Sequence, residues 1–442
     1  MRASWAGAVI ALCVVAGPSE IRPQPLARLN VLFIAVDDLR PQSGAYGQRQ
    51  MVTPALDTLA REGRTFTRHY AQVPTCGASR FALLTGRHPA TPASQGNDAF
   101  SAYQAGHAPP SMPEWFRRHG YHTAQIGKIS HSPDGRRLTQ SSEGREGSHE
   151  PEVPGAWDQL RTPAGPWATA WRAFFGYAGG GARAQGRSPA TESADVGDGG
   201  YPDGLMAQEA VSALEEYARG DTPFFLAVGF FKPHLPFTAP TRYWNLYDEA
   251  SIALAPHRQP PAGVNAGISL HAGGEFFGNY GHAAADAQDD RYARHLRHGY
   301  YAGVSYVDAQ VGVVLKALDR LGLRERTVVV VWGDHGYHLG EHGVWGKHTL
   351  HDVALRSALL VRTPAMSQPG VASDAIVSTV DLYPTLADLA ALPRPAHLDG
   401  ASLRTLLDRP DASPPRDAAM GLWRMNGHAG ATLRTDRYRY TR

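Results

Sequence analysis

The residues with the clearest chemical potential form a short run at positions 76–80, which reads Cys-Gly-Ala-Ser-Arg. The stretch from Cys76 to Leu84 has a helical pattern and stops at Gly86, so the cysteine is predicted at a helix N-terminus. That position lowers the pKa of a thiol and attracts anions, and Arg80 follows one turn later on the same face. The pattern indicates either the nucleophile of a cysteine hydrolase or a small apolar residue of the core.

Carboxylates follow two apolar runs of the sequence, each of which is typical of a buried strand. Asp37 and Asp38 end the first run, and Asp334 and His335 follow the second. Adjacent carboxylates repel each other, so we expect a cation beside them, and three carboxylates at strand ends suit a hard cation such as calcium or magnesium. His335 is an unusual ligand for calcium and could instead orient the site. For the Asp37–Asp38 pair alone, one capping and one solvated aspartate is the alternative.

Two basic residues, Lys128 and His234, follow two further apolar strands. Histidine suits proton transfer because its pKa lies near neutrality. Taken singly, Lys128 is also explained as a solvated surface residue and His234 as a structural histidine.

The elements that must position these residues alternate between strands and helices. Strands are predicted at 30–36, 121–126, 223–229, 327–332 and 358–362, and helices at 54–63, 76–84, 205–219, 300–321 and 380–392. This alternation predicts an α/β sandwich around a largely parallel sheet. In such sheets ligands bind outside the carboxyl ends of the strands, so the charged residues at four strand ends are expected to converge on one site.

Composition excludes several classes of protein. The formal net charge of +2 argues against nucleic acid or an acidic membrane as the main partner, and two cysteines cannot form a disulfide scaffold. The segments at about 132–200 and 255–290 lack periodicity, and we predict surface excursions there that shape the pocket. A linker rich in proline and aspartate at 409–416 precedes strand-like sequence from residue 418.

The N-terminal segment is expected to be a signal peptide, residues 1–16. It begins with a positive charge, continues with about eleven apolar residues, which are too few to span a bilayer, and ends at a small-residue cleavage site. We therefore expect an exported protein, periplasmic or secreted, without a membrane span. A short buried helix is the alternative. Cleavage would remove Cys13 and leave Cys76 as the cysteine of the mature chain.

The run at 76–80 resembles the signature of the type I sulfatases of the alkaline phosphatase superfamily, which is Cys-x-Pro-Ser-Arg followed by a Thr/Leu-Gly-Arg step. Cys76, Ser79 and Arg80 match this signature, and Ala78 replaces the usual proline. Further motifs look most like the iduronate-2-sulfatase branch: residues 36–41, Gly127-Lys128-x-x-His131, residues 230–237, Asp334-His335-Gly336, and residues 339–347.

The resemblance implies a modified nucleophile and a metal ion. In this family the cysteine, here Cys76, is oxidised to Cα-formylglycine by a formylglycine-generating maturation enzyme. Its hydrate attacks sulfur through one hydroxyl, and the second hydroxyl then expels sulfate, a route that a serine lacks. The resemblance also implies one Ca²⁺ ion, held by Asp37, Asp38, residue 76, Asp334 and His335.

The resemblance assigns the basic residues to substrate and proton transfer. Arg80 would fix the nucleophile and the metal ligands, and Lys128 and Lys347 would contact sulfate oxygens. His131 would serve as a base near the nucleophile, and His234 would bind sulfate or protonate the leaving oxygen. Another six residues are expected near the pocket, in either substrate contact or loop packing: Lys232, Tyr337, His338, Glu341, His342 and Trp345.

The implied fold is an alkaline-phosphatase-like α/β/α sandwich around a large, mostly parallel sheet. We expect a catalytic domain at 28–408 and a partial antiparallel C-terminal subdomain at 417–442. Sulfatases usually continue for several more strands, so the subdomain is expected to be truncated or the chain to be a fragment, with an exposed sheet edge.

The expected activity is removal of sulfate from a sulfated sugar or glycan, for example a 2-sulfated uronate, or from a small sulfate ester. Two alternatives stay open. One is a phosphonate monoester hydrolase or phosphodiesterase of the same superfamily. The other is an unmodified binding protein that retains the fold without catalysis.

Overall fold

A computed structural model of the chain describes residues 28–137, 148–263, 270–271, 273–281, 289–425 and 427–442, together with residues 1, 3 and 265. Most of the predicted signal peptide at 1–16 lies outside the described residues, so it stays a prediction. Among the residues described, no helix is both long enough and apolar enough to cross a membrane.

The strands of the described residues are β1 (Asn30–Val36), β2 (Arg64–Tyr70), β3 (His122–Gly127), β4 (Gln159–Leu160), β5 (Thr191–Ala194), β6 (Phe224–Phe230), β7 (Phe237–Pro240), β8 (Thr327–Gly333), β9 (His338–Leu339), β10 (Trp345–Gly346), β11 (Leu359–Arg362), β12 (Ser373–Ser378), β13 (Ala418–Met425), β14 (His428–Thr435) and β15 (Arg439–Thr441).

The α-helices of the described residues are α1 (Pro54–Glu62), α2 (Cys76–Thr85), α3 (Ala99–Ala102), α4 (Met112–Arg118), α5 (Ala170–Phe174), α6 (Pro202–Tyr217), α7 (Thr241–Trp244), α8 (Gly274–Asn279), α9 (Asp290–Arg320), α10 (Asp352–Leu355), α11 (Leu382–Leu389) and α12 (Arg404–Asp408).

The central sheet brings the carboxyl ends of four strands to one edge. Within the described chain it has eight strands in the order β12-β2-β11-β8-β1-β6-β3-β4, and β11 alone runs antiparallel to its neighbours. Val36 at the end of β1 pairs with Phe230 of β6 and Gly333 of β8, and Gly127 of β3 pairs with Gly229 of β6. The residues that follow these strands therefore leave the sheet at the same level. The prediction of a mostly parallel sheet is confirmed.

Helices cover both faces of this sheet, which explains its apolar central strands. Alternate residues of β1 enter different cores, since Leu32 and Ile34 pack in one cluster and Val31 and Phe33 in the other. Helices α6 and α9 contribute to the first cluster, and α4 and α11 to the second. A strand buried on both faces needs apolar residues at every position, which is the pattern that the sequence shows.

Several elements differ from the predictions. The long helix predicted from residue 300 begins at Asp290, where the Asp289 carboxylate accepts the Tyr292 backbone N–H at 2.9 Å. Its first turns are polar and therefore carry little apolar periodicity. Strands β2 and β12 were not predicted, because β2 mixes polar and apolar residues. The segment predicted as a surface excursion at 132–200 also reaches the core through α5.

The C-terminal strands β13–β15 form a small antiparallel sheet, as predicted. Its first strand is attached to the main body, since the Leu422 N–H donates to the Gln72 carbonyl at 2.7 Å. Trp423 stacks on His348 with ring centroids 5.0 Å apart, next to the candidate residue Lys347. The division at 28–408 and 417–442 stays a prediction.

Candidate active site

The backbone after β1 turns sharply to bring two aspartates toward β8. Asp38 adopts a left-handed conformation with φ 60°, and its backbone N–H donates to Asp334 Oδ1 at 3.0 Å. The Asp38 carbonyl accepts the Tyr300 hydroxyl at 2.7 Å, which attaches the turn to α9. These contacts place three carboxylates at one point, and the side chains of Asp37, Asp38 and Asp334 are all fully buried.

The five predicted metal ligands come together in two overlapping groups. Donor atoms of Asp37, Cys76, Asp334 and His335 all lie within 4.8 Å of one another, and those of Asp38, Cys76 and His234 form a second such group. Asp38 is thus somewhat apart from the first group. Three buried carboxylates around one point match the oxygen ligands that a hard cation such as calcium prefers, so the donor set fits the predicted ion.

Arg80 holds two of these carboxylates. Its guanidinium lies 3.1 Å from Asp37 Oδ1 and 3.0 Å from Asp334 Oδ2, with all three side chains inaccessible to solvent. It also donates to the carbonyls of Lys128 and Ile129. All of its partners are acceptors, so Arg80 fixes the ends of β1, β3 and β8 relative to each other.

Two lysines add positive charge, each paired with a different aspartate. Lys128 Nζ lies 2.7 Å from Asp37 Oδ2, and Lys347 Nζ lies 2.9 Å from Asp38 Oδ1. Although burial raises the pKa of the Asp37 carboxyl, Lys128 and Arg80 more than offset this and hold the pKa well below its usual range. The site therefore combines buried carboxylates with buried cations, an arrangement that can neutralise an anionic ester.

Cys76 is the first residue of α2 and is buried at the centre of the cluster. Its Sγ lies 3.4 Å from His335 Nε2 and 3.5 Å from Lys347 Nζ. Burial and the Asp37 charge raise the pKa of this thiol well above its usual value, against the opposing effect of Lys128 and Lys347. Because the thiolate is the reactive form, this environment disfavours the alternative of a cysteine hydrolase.

The residues beside Cys76 fix its helix against neighbouring loops. A Cβ on Gly77 would lie 2.4 Å from the Cα of Asn97, so only glycine fits there. The Gly77 N–H donates to Asn97 Oδ1 at 3.1 Å, and the Ser79 hydroxyl donates to the Asp334 carbonyl. The signature run therefore has a structural function as well as a chemical one.

The two candidate histidines differ in their surroundings. Burial, together with the charges of Lys128 and Arg80, lowers the pKa of His131 well below its usual value, so its imidazole is neutral. Among the described residues, the buried Nδ1 of His131 has no hydrogen-bond partner. His234 has an acceptor at each ring nitrogen: the Leu235 carbonyl lies 2.7 Å from Nδ1, and Glu275 Oε1 lies 2.9 Å from Nε2.

Two pocket residues, Phe174 and Glu275, were not predicted. The Phe174 ring lies 4.1 Å from Lys128 Nζ and 4.5 Å from the His234 ring. Glu275 approaches Lys347 as well as His234, with its Oε2 3.2 Å from Lys347 Nζ. Both belong to the aperiodic segments at 132–200 and 255–290, where neither motif nor periodicity marks a residue, so the sequence carries no signal for them.

Of the six neighbouring residues, three serve the packing of loops. Lys232 donates to the carbonyls of His234 at 3.0 Å and Pro236 at 2.7 Å. His338 contacts the Glu341 carbonyl at 3.1 Å, and the Glu341 carboxylate pairs with Arg40 at 2.9 Å.

The other three are Tyr337, His342 and Trp345, of which Tyr337 and Trp345 are buried. The Tyr337 hydroxyl is buried without a hydrogen-bond partner in the part of the chain that is described, and the same holds for Nδ1 of His342.

Comparison with known proteins gives a consistent result. The family model described as Sulfatase matches residues 29–392. Iduronate 2-sulfatase of Mus musculus is 33% identical over 403 residues, which cover 83% of this chain and 69% of that protein. A sulfatase of Formosa agariphila is 31% identical over 437 residues, covering 93% of this chain and 78% of that protein.

Among solved structures, phosphonate monoester hydrolase of Agrobacterium radiobacter superposes with a TM-score of 0.71 at 23% identity, covering 94% of this chain and 87% of that one. This likeness shows a shared fold. The matched range of the family model, 29–392, includes every strand end that carries a candidate site residue. The chain therefore belongs to the sulfatase family and is a sulfuric ester hydrolase.

Proposed function

We propose that this protein is an exported, calcium-dependent sulfatase that removes sulfate from a sulfated sugar, specifically a 2-sulfated uronate, by means of a formylglycine made from Cys76. The observation that carries the proposal is the setting of Cys76, which lies among three buried carboxylates and three buried cations. The overall reaction adds water to the ester and gives the sugar alcohol, sulfate and a proton.

The setting of Cys76 supports modification of this residue. An unmodified thiol would stay protonated here, because burial and Asp37 raise its pKa. The hydrated aldehyde of formylglycine would instead supply a hydroxyl nucleophile and a second hydroxyl from which the sulfate ester can be released. The conversion of Cys76 to formylglycine then needs a separate maturation enzyme as a partner.

The donor set supports a calcium ion held by Asp37, Asp38, residue 76, Asp334 and His335. When bound, the ion would supply positive charge to oxygens of the transferring sulfuryl group. Arg80 would keep Asp37 and Asp334 in place with or without substrate, since it contacts both at about 3 Å.

The basic residues divide between sulfate binding and proton transfer. Lys128 pairs with Asp37 and Lys347 with Asp38, and both lysines would bind sulfate oxygens. His131 is neutral, and its Nδ1 has no hydrogen-bond partner within the described part of the chain, which supports a function as base. His234 Nε2 lies 2.9 Å from the Glu275 carboxylate, and its place beside Lys347 and Asp38 supports a function in protonating the leaving oxygen.

The substrate part of the proposal rests on the relatives. Two iduronate 2-sulfatases, from Mus musculus and Homo sapiens, match at 33% and 32% identity. By analogy with their names we propose sulfate at the 2-position of a uronate. Export follows from the predicted signal peptide at 1–16.

The test is to co-express the full chain with a formylglycine-generating enzyme and to measure both modification and turnover. The tryptic peptide at 69–80 is treated with iodoacetamide, which marks a thiol, and its mass distinguishes cysteine from formylglycine. We expect formylglycine, and we expect a higher kcat/KM on a 2-sulfated uronate and on an aryl sulfate than on an aryl phosphonate monoester. Only thiol at residue 76 would favour the unmodified binding protein, and a strong phosphonate preference would favour the phosphonate hydrolase.

A further inference from the structure

The carboxylate of Glu275 lies beside His234, which is proposed to protonate the leaving oxygen, and beside Lys347, which is proposed to bind sulfate oxygens. Its Oε1 is 2.9 Å from His234 Nε2, and its Oε2 is 3.2 Å from Lys347 Nζ. The Glu275 side chain is 21% exposed, whereas those of His234 and Lys347 are 3% exposed. Glu275 is therefore the most exposed of these three side chains and lies on the solvent side of the residues proposed to hold sulfate.

The helix that carries Glu275 is attached to the same segment that carries Lys347. Phe276 of α8 stacks on Trp345 with centroids 6.1 Å apart. Gly273 has φ 82°, and a Cβ there would lie 2.8 Å from the Trp345 carbonyl. The His271 ring contacts the Lys347 carbonyl. Because α8 and β10 are packed together, the distance from the Glu275 carboxylate to Lys347 is set by the fold rather than by one flexible side chain.

The chemistry of this carboxylate restricts what a substrate can present to it. Although burial raises the pKa of the Glu275 carboxyl, the Lys347 ammonium at 3.2 Å outweighs this and keeps the carboxyl ionised, so it can accept hydrogen bonds but cannot donate them. Its two oxygens offer about four acceptor sites, and His234 and Lys347 use two of these. A sulfate ester held by Lys347 and His234 would have Glu275 beside it, because the Glu275 carboxylate contacts both of these residues.

We propose that Glu275 is a specificity-determining residue that accepts a hydrogen bond from a donor on the carbon adjacent to the sulfate ester. The proposal rests on the proposed function. In a 2-sulfated uronate that donor is the 3-hydroxyl, because the neighbouring carbon on the other side carries the glycosidic oxygen. A second sulfate at the 3-position would instead meet the Glu275 carboxylate with like charge and be rejected.

The test compares a 2-sulfated uronate methyl glycoside with its 3-deoxy counterpart, each with the wild-type enzyme and with Glu275→Gln and Glu275→Ala. For wild type we expect a kcat/KM about 10- to 100-fold lower on the 3-deoxy substrate, the usual worth of a hydrogen bond to a charged group. Both variants lose activity on both substrates, since Lys347 and His234 lose a counter-ion. The ratio of kcat/KM on the two substrates isolates the contribution of this hydrogen bond. In Glu275→Ala we expect this ratio to fall to within about threefold of one.

Glu209→Gln is the matched control. Glu209 lies outside the candidate site, and its carboxylate is 2.7 Å from the Arg161 guanidinium. This variant should keep the wild-type ratio. The inference is overturned if wild type hydrolyses both substrates equally well, or if the ratio in Glu275→Gln and Glu275→Ala equals that of wild type. Absence of wild-type turnover on both substrates would refute the proposed function instead, and the inference with it.

Discussion

Replacing Arg80 by methionine should destabilise the protein more than the loss of any surface ion pair. Methionine keeps an apolar stem of similar length but removes the cation that pairs with Asp37 at 3.1 Å and Asp334 at 3.0 Å. All three side chains are fully buried, so neither carboxylate can turn to water. To fold, the variant must bury the Asp37 and Asp334 carboxylates either charged and without the guanidinium, or protonated.

The magnitude follows from the cost of breaking a buried pair by removal of one partner, about 3–5 kcal/mol. Two carboxylates lose their partner, but Asp37 keeps Lys128 at 2.7 Å. The expected loss of unfolding free energy therefore stays within this range and is not doubled. The loss should depend on pH. Burial raises the pKa of the Asp334 carboxyl even though Arg80 opposes this. In the variant this pKa therefore rises further, the carboxylate protonates more readily, and the free-energy difference from wild type narrows as the pH falls from 7.5 to 5.

The assay is urea unfolding followed by tryptophan fluorescence, with calcium chelated, at both pH values. Arg161→Met is the control, because Arg161 pairs with Glu209 and Glu216 near the surface and should cost less than about 1 kcal/mol. The reasoning is refuted if both variants lose the same free energy of unfolding at pH 7.5, or if the Arg80 variant shows no narrowing at pH 5.

Three further outcomes are expected. Cys76→Ala should abolish turnover on a sulfate ester and leave the circular dichroism spectrum unchanged, whereas retained turnover would exclude Cys76 as the source of the nucleophile. Calcium at about 100 times its Kd should raise the free energy of unfolding by about 2.7 kcal/mol, and Asp334→Asn should remove most of this gain; an equal gain in the variant would place the ion elsewhere. Burial raises the pKa of Glu152 to about 7, so the folded protein keeps a proton that the unfolded chain releases above pH ~4.3. The free energy of unfolding therefore falls as the pH rises between these two values. Glu152→Gln should therefore exceed wild type by up to about 3 kcal/mol at pH 8 in urea unfolding, and parallel pH profiles of the two proteins would contradict this.

Local patterns in the sequence were sufficient to predict the elements that carry the catalytic motifs. The apolar run of β1 and its end at Val36 were predicted as the structure has them, because a strand buried on both faces leaves a continuous apolar signal. The start of α2 at Cys76 was likewise predicted. Residues fixed by a motif at the end of such an element, such as Asp37 and Asp334, could be placed on one side of the sheet before any distance was known.

The contacts between these residues were decided by the tertiary structure. Lys347 meets Asp38 across 309 positions of the chain, and the register of β1, β6 and β8 brings their ends to one level. Glu275 and Phe174 come from segments without periodicity, so no local pattern marks them. Their positions depend on packing against Trp345 and the core, which many distant residues build together. The sequence alone determined the family, the fold class and the candidate catalytic groups, whereas the contacts of Glu275 and Phe174 with those groups were determined by packing between distant segments.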